Sequence, residues 1–238
     1  LAWLCRNLRH GPWVRGSWLS AAPRSHRHRL CRPPADRDLC RDVSGRGCAP
    51  VPPVLRGAYA LVLQLESPVQ EVLKAAQWAR ASGCLVVLNP SPVPEAVPGA
   101  LWALVDLLVL NESEALALCG LDVGASHDAA VQAIRHFQQW GIRRVVLTLG
   151  GAGAIAADGD AVTYHPAARV DVVDTTAAGD TFLGALVAVW ARGLPFADCV
   201  HQGMTAASLC VQTAGAQTSI PSRAQTEVAL TAPHWQNL

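Results

Sequence analysis

From residue 58 onward, short unbroken apolar runs alternate with segments of helical period, and this alternation confines the chain to layered α/β architectures. Residues 58–65 form the first run, rich enough in Leu and Val for a buried strand. Ser67-Pro68-Val69-Gln70 then reads as a capping-box helix start with Pro at the first helical position, and Val69, Val72, Leu73 and Ala76 line one face of the helix. Gly83 ends it, and residues 84–88 give a second strand. The pattern continues with a helix near 99–105, a strand over 107–110, a helix over 112–119 stopped by Gly120, a helix over 126–140 stopped by Gly141 and a strand over 143–148. Strands that are apolar on both faces need cover on both, so the expected fold is α/β: a mostly parallel central sheet with helices on both faces. Ligands of such sheets bind beyond the carboxyl ends of the strands, which directs attention to the loops there.

The first 56 residues obey no such period. They hold 11 of the 19 basic residues and 3 of the 18 acidic ones, a charge of +8 against −7 for the remainder. Residues 1–56 therefore read as a basic Arg/Trp/Cys-rich segment, poorly ordered or not native coding sequence, ahead of a domain over 57–238. The stretch 10–32 has the Arg-rich, acid-poor composition of an organelle transit peptide but more Pro and Trp than one carries. Cys5, Cys31, Cys40 and Cys48 lack the close pairing of a zinc site, and without Lys or a spaced aromatic-basic motif the segment does not read as a nucleic-acid arm. Leu1 is no initiator and Met204 is the only Met, so a fragment, a processed form or a conceptual translation is expected. The whole chain, 51% hydrophobic with net charge +1, suits a packed core with no nucleic-acid partner. Nor is a membrane partner expected, because the longest apolar stretch, 145–157, is broken by Thr148, Gly150, Gly151 and Gly153. Cys84, Cys119, Cys199 and Cys210 lie in apolar segments and read as buried thiols of a reducing, cytoplasmic compartment.

Two loops carry candidate chemistry. In Thr148-Leu149-Gly150-Gly151-Ala152-Gly153, a strand precedes glycines at dinucleotide-fingerprint spacing, but Asp158-Gly159 is a hairpin signal and 161–164 reads as a returning strand where the fingerprint needs a helix. A nicotinamide enzyme is therefore disfavoured; close approach of backbone to a nucleotide and a plain strand-to-strand turn are equally good readings. The second loop follows an extended, β-branched stretch, 170–173, and runs Asp174-Thr175-Thr176-Ala177-Ala178-Gly179-Asp180-Thr181-Phe182 into a helix whose apolar face is Phe182, Ala185, Leu186 and Val189. Small residues at Ala177, Ala178 and Gly179 leave the unpaired N–H groups of the helix start accessible, an anion hole in which Asp180 is the first-turn carboxylate. A carboxylate there can serve only the helix dipole, but Asp174, Thr175, Thr176 and Thr181 make the crossover more polar than a buried connection requires.

That second loop resembles the C-terminal signature of ribokinase-type carbohydrate kinases, the PfkB family. Asn111-Glu112-Ser113-Glu114 resembles the family's Asn-x-x-Glu motif, and Gln64-Leu65-Glu66-Ser67-Pro68, Leu88-Asn89-Pro90, Thr148-Leu149-Gly150 and Gly215-Ala216-Gln217 resemble further family segments in the same order, from about residue 58 to the end. The resemblance implies a ribokinase-like fold and ATP-dependent phosphorylation of ribose at the 5-hydroxyl. Asp180 would be the base, and the amides of Ala177, Ala178 and Gly179 would hold the migrating phosphoryl charge. Nucleotide contacts are implied for Asn111, Thr148, Leu149, Gly150, Gly151, Ala152, Gly153, Gly179, Asp180 and Met204, and sugar contacts for Glu66 and Asp180. Glu114 would organise Mg²⁺ through water, while Asn111 and Glu114 can equally be a helix N-cap and its capping partner. A K⁺-like ion is implied at Asp174, Thr176, Cys210, Thr213, Gly215 and Ser219. Met204 departs from the family, which has Asn or His there, and residues 1–56 show nothing of its N-terminal strands, sugar motif or the β lid that pairs subunits into a homodimer. A truncated, non-catalytic nucleotide-binding remnant, or an artefactual gene product of the same family, is therefore the alternative expectation.

Overall fold

The computed structural model describes residues 3–6, 52–124 and 126–232. Seven strands form one sheet in the order β1-β2-β3-β4-β5-β6-β7: Trp3–Arg6, Ala58–Leu63, Leu85–Leu88, Leu107–Asn111, Arg144–Thr148, Ala154–Asp158 and Ala161–His165. The four central strands β2 to β5 are parallel, while β1, β6 and β7 are antiparallel to their neighbours. Parallel neighbours need crossover helices, and the chain supplies them as α1 (Val69–Ala81), α2 (Gly99–Trp102), α3 (Glu112–Cys119) and α4 (His127–Gln139). Three more follow the sheet: α5 (Ala178–Trp190), α6 (Phe196–Cys210) and α7 (Arg223–Thr231).

The unbroken apolar runs are explained by two cores, one per sheet face. Leu61, Leu63, Val86, Leu88, Leu108, Leu110, Val145 and Leu147 pack under α1 to α4 with Val72, Leu101, Ala115, Ile134 and Phe137. The alternate residues Ala60, Val62, Leu85, Val87, Leu107, Val109 and Val146 pack under α5 and α6 with Phe182, Leu186, Val189, Val200 and Met204. Each strand so feeds both layers with period two.

The expected mostly parallel central sheet with helices on both faces is present, and so is the hairpin: β6 turns through Asp158 and Gly159, at φ +61°, into β7. Four details differ. The first helix does not start on a Ser67 capping box; Pro68 is the N-cap, extended at ψ 128°, and makes no side-chain cap bond. The second is a single turn, because Leu104 and Val105 close back on Leu101 and Trp102 through i−3 bonds that end it. Residues 170–173 join no strand, and Val172 and Val173 are exposed. Trp3–Arg6, within the segment whose sequence shows no period, lies antiparallel on β2; the reading of residues 7–51 as poorly ordered falls outside the described residues.

Candidate active site

Each parallel strand ends on a polar residue. Leu63 of β2 gives way to Gln64 and Leu88 of β3 to Asn89, while β4 and β5 end on Asn111 and Thr148, which are register partners. With both sheet faces covered, these are the first positions where a polar side chain escapes the core.

Asn111 caps α3. Its Oδ1 accepts the Glu114 N–H at 2.9 Å and the Ser113 hydroxyl at 2.8 Å, and Glu114 Oε2 accepts the Asn111 N–H at 3.0 Å. The capping box thus exists in full, and it turns Glu114, only 8% exposed, back toward the strand ends. There the same Oε2 accepts Asn89 Nδ2 at 3.0 Å, and Nδ2 also donates to the Val109 carbonyl at 3.1 Å. Asn89 Oδ1 accepts Gln64 Nε2 at 3.2 Å, and that nitrogen donates equally, at 3.2 Å, to Oδ1 of Asp180 in the first turn of α5. One polar chain therefore runs Asp180, Gln64, Asn89, Glu114, Asn111 across the sheet's carboxyl edge.

The start of α5 is shaped by its N-cap, Ala177, which holds a left-handed φ of 62° without a side-chain cap bond. Ala178 N–H is already engaged by the Thr175 carbonyl at 3.2 Å, so one of the three expected hole donors is partly spent. Among the described residues the N–H groups of Ala177, Gly179 and Asp180 have no internal acceptor. A Cβ at Gly179 would meet nothing within 4 Å, so neither packing nor a positive φ demands glycine there; its effect is to keep the approach to these amides clear.

The glycine loop is a tight strand-to-strand turn. Gly150–Ala152 form a 3-10 turn, Leu149 N–H reaches the Gly153 carbonyl at 2.8 Å, and a Cβ on Gly153, at φ 106°, would collide with the His165 carbonyl. Gly153 is thus fixed by the turn, whereas Gly150, Gly151 and Ala152 are exposed just past Thr148 and Leu149. The helix of a dinucleotide fingerprint is replaced by β6.

The six residues expected around a monovalent cation fall on the loop ahead of α5 and on the end of α6 with the loop that follows it, and these two stretches touch. Val173 and Asp174 N–H both reach the Val211 carbonyl, and Asp174 accepts the Thr176 N–H and the Gly215 N–H, each at 2.9 Å. The Thr176 hydroxyl first, then the Gly215 and Thr176 amides, pull the Asp174 carboxyl down to about 2. Cys210 Sγ sits 3.3 Å from Ser219 Oγ and 3.8 Å from the Thr176 carbonyl, and Thr213 N–H closes on the Cys210 carbonyl at 3.1 Å. Glu66 is exposed beyond β2, and Met204 is 8% exposed in the apolar layer beside Phe182. The sequence motifs alone assign no role to Gln64 or Asn89. Their common signal is position: each is the first polar residue after a buried strand.

Residues 54–223 match the model of the pfkB family carbohydrate kinases. The chain is 39% identical over 166 residues to the ribokinase of Haemophilus influenzae, covering 70% of this chain and 54% of that protein. With the Staphylococcus aureus ribokinase it is 40% identical over 162 residues, covering 68% and 53%. It superposes on the solved Arabidopsis thaliana ribokinase complexed with ribose and ATP with TM-score 0.72 and 29% identity, over 75% of this chain and 58% of that one. The chain thus spans about half the length of the curated relatives it matches. A family match over most of the domain, on a sheet whose polar residues gather at one edge, makes this chain a member of the pfkB carbohydrate kinase family.

Proposed function

We propose that the chain is a ribokinase-type kinase that phosphorylates ribose at its 5-hydroxyl with ATP. The observation that carries this is the Asp180 carboxylate standing in the first turn of α5 beside free N–H groups and tied through Gln64 and Asn89 to Glu114. As the attacking oxygen bonds to the γ-phosphorus and the bond to the ADP oxygen breaks, the hydroxyl proton passes to Asp180. The N–H groups of Ala177, Gly179 and Asp180 would take the phosphoryl oxygens, with Ala178 contributing if its bond to Thr175 yields. Asn111, Thr148, Leu149 and the exposed 150–152 turn would receive the nucleotide, and Glu66 the sugar.

The donor set fits Mg²⁺ held mainly by water and phosphate. Among the described residues no three His, Cys, Asp or Glu side chains converge, whereas Glu114 Oε1 and Asp180 Oδ2 take no internal hydrogen bond. When bound, Mg²⁺ would neutralise phosphate charge beside Glu114. The oxygens of Asp174, Thr176, Cys210, Thr213, Gly215 and Ser219 suit a K⁺-like ion, which would brace the loop ahead of α5. Among the described residues Cys119, Cys199 and Cys210 stand in no disulfide, which agrees with the cytoplasm, and no helix there is long and apolar enough to cross a membrane.

The test is ATP-dependent formation of ribose 5-phosphate with Mg²⁺ and K⁺ present. Asp180→Asn should lower turnover about 10²- to 10⁴-fold while ATP binding stays within a factor of a few; full turnover in that variant would refute the assignment. ATP binding with no turnover in the parent would favour the second reading, a nucleotide-binding protein without catalysis. Its support is that nearly half of each curated relative has no counterpart in the matched range.

A further inference from the structure

The amide orientations in the polar chain can be worked out from its fixed end. The Val109 carbonyl can only accept, and Glu114 Oε2 already accepts the Asn111 N–H, so Asn89 must aim its two Nδ2 hydrogens at these groups. That leaves Asn89 Oδ1 facing Gln64, which must answer with Nε2; one Nε2 hydrogen is used there, and the second has only Asp180 Oδ1 to meet. A flipped Gln64 would set its carbonyl oxygen against two acceptors. The direction of every bond is therefore dictated from α3, and its last donor reaches Asp180, 116 positions away in sequence from Gln64.

We infer that Gln64 is a positioning residue for phosphoryl transfer, its amide, locked by Asn89 and Glu114, holding Asp180 Oδ1 so that Oδ2 alone is presented to the acceptor hydroxyl. This rests on the kinase reading above. It adds a specific asymmetry: Asp180 is exposed and could rotate freely, and rotation would exchange a correctly aimed oxygen for one that is not. Removing the amide costs alignment, and it costs nothing in nucleotide binding, because Gln64 lies on the β2 side of Asp180 and is no part of the amide group at α5.

The experiment compares the full chain with Gln64→Leu, Asn89→Ala and both combined with Asp180→Asn. Gln64→Leu should lower kcat about 10- to 100-fold with KM for ATP changed less than about twofold, and should have no further effect once Asp180 is Asn. Parent-like kcat in Gln64→Leu, or equal losses with and without Asp180, overturns the inference. The ¹³C carboxylate signal of Asp180, identified by its loss in Asp180→Asn, supplies a readout that needs no turnover. It should move on Gln64→Leu and again, in the same direction, on Asn89→Ala. A parent that transfers no phosphoryl group removes the kinase reading, and an Asp180 signal unmoved by Gln64→Leu removes the positioning role, so the two failures are separate.

Discussion

At Ala177 the backbone takes the left-handed turn that feeds α5, and it does so with a Cβ present; no other non-glycine among the described residues has a positive φ. That conformation costs an L-residue about 1 kcal/mol or more. Ala177→Gly should accordingly stabilise the protein by about 0.5–1 kcal/mol, read as a higher urea midpoint at unchanged slope; a lower midpoint would contradict the left-handed turn. Asp174 makes a second residue-scale case. Its folded carboxyl sits at about 2 against an ordinary 3.8, so the bonds to Thr176 and Gly215 favour the fold fully above 3.8 and are lost as pH falls through about 2. The Gly215 amide signal in an acid titration should move with a midpoint near 2; a midpoint near 3.8 would show that the two loops are not joined through this carboxylate.

Between elements, α5 fits closely on α6. A Cβ at Gly203 would lie 3.0 Å from the ring and the carbonyl of Phe182, whose side chain is 2% exposed and has nowhere to retreat. Ala is worth about 1 kcal/mol over Gly in a helix, but overpacking costs about 1–3. Gly203→Ala should therefore lower stability by about 1 kcal/mol, with a lower thermal midpoint; a rise would mean that the helices slide apart without penalty. The elements themselves were legible because period and punctuation agreed: two-sided burial made β2 to β5 unbroken apolar runs, and Gly83, Gly120 and Gly141 all take the positive φ that ends a helix. Residues 170–173 misled because β-branched composition reports a fit to a pleated surface and says nothing of a neighbour to pair with. Part of the site was legible for the same local reason. Asn111 and Glu114 fall within one helical turn, so spacing alone foretold their capping box, and Asp180 announced itself at a helix start. Gln64 and Asn89 gain their meaning only from strand register and from a partner on α5, information that no local window of sequence holds.

For the molecule as a whole, the candidate site lies along one edge of the sheet and draws on elements from β2 to α6, so a ligand there should steady the entire domain. ATP with Mg²⁺ at a hundred times its Kd should stabilise the chain by about 2.7 kcal/mol, seen as a higher thermal midpoint, whereas NAD should give no shift. Equal protection by NAD would reinstate the dinucleotide reading that the β6 strand argues against. The row that begins at Asn111 and ends on Asp180 also bears on how the chain acquires competence. Its members come from the ends of three strands, from α3 and from the late helix α5, and the last link closes a loop of more than a hundred residues. Such distant closures are among the slowest events of folding. On the kinase reading proposed above, half-assembled forms would thus leave Asp180 unaligned even where a nucleotide can bind, so that turnover, rather than binding, would report a finished fold.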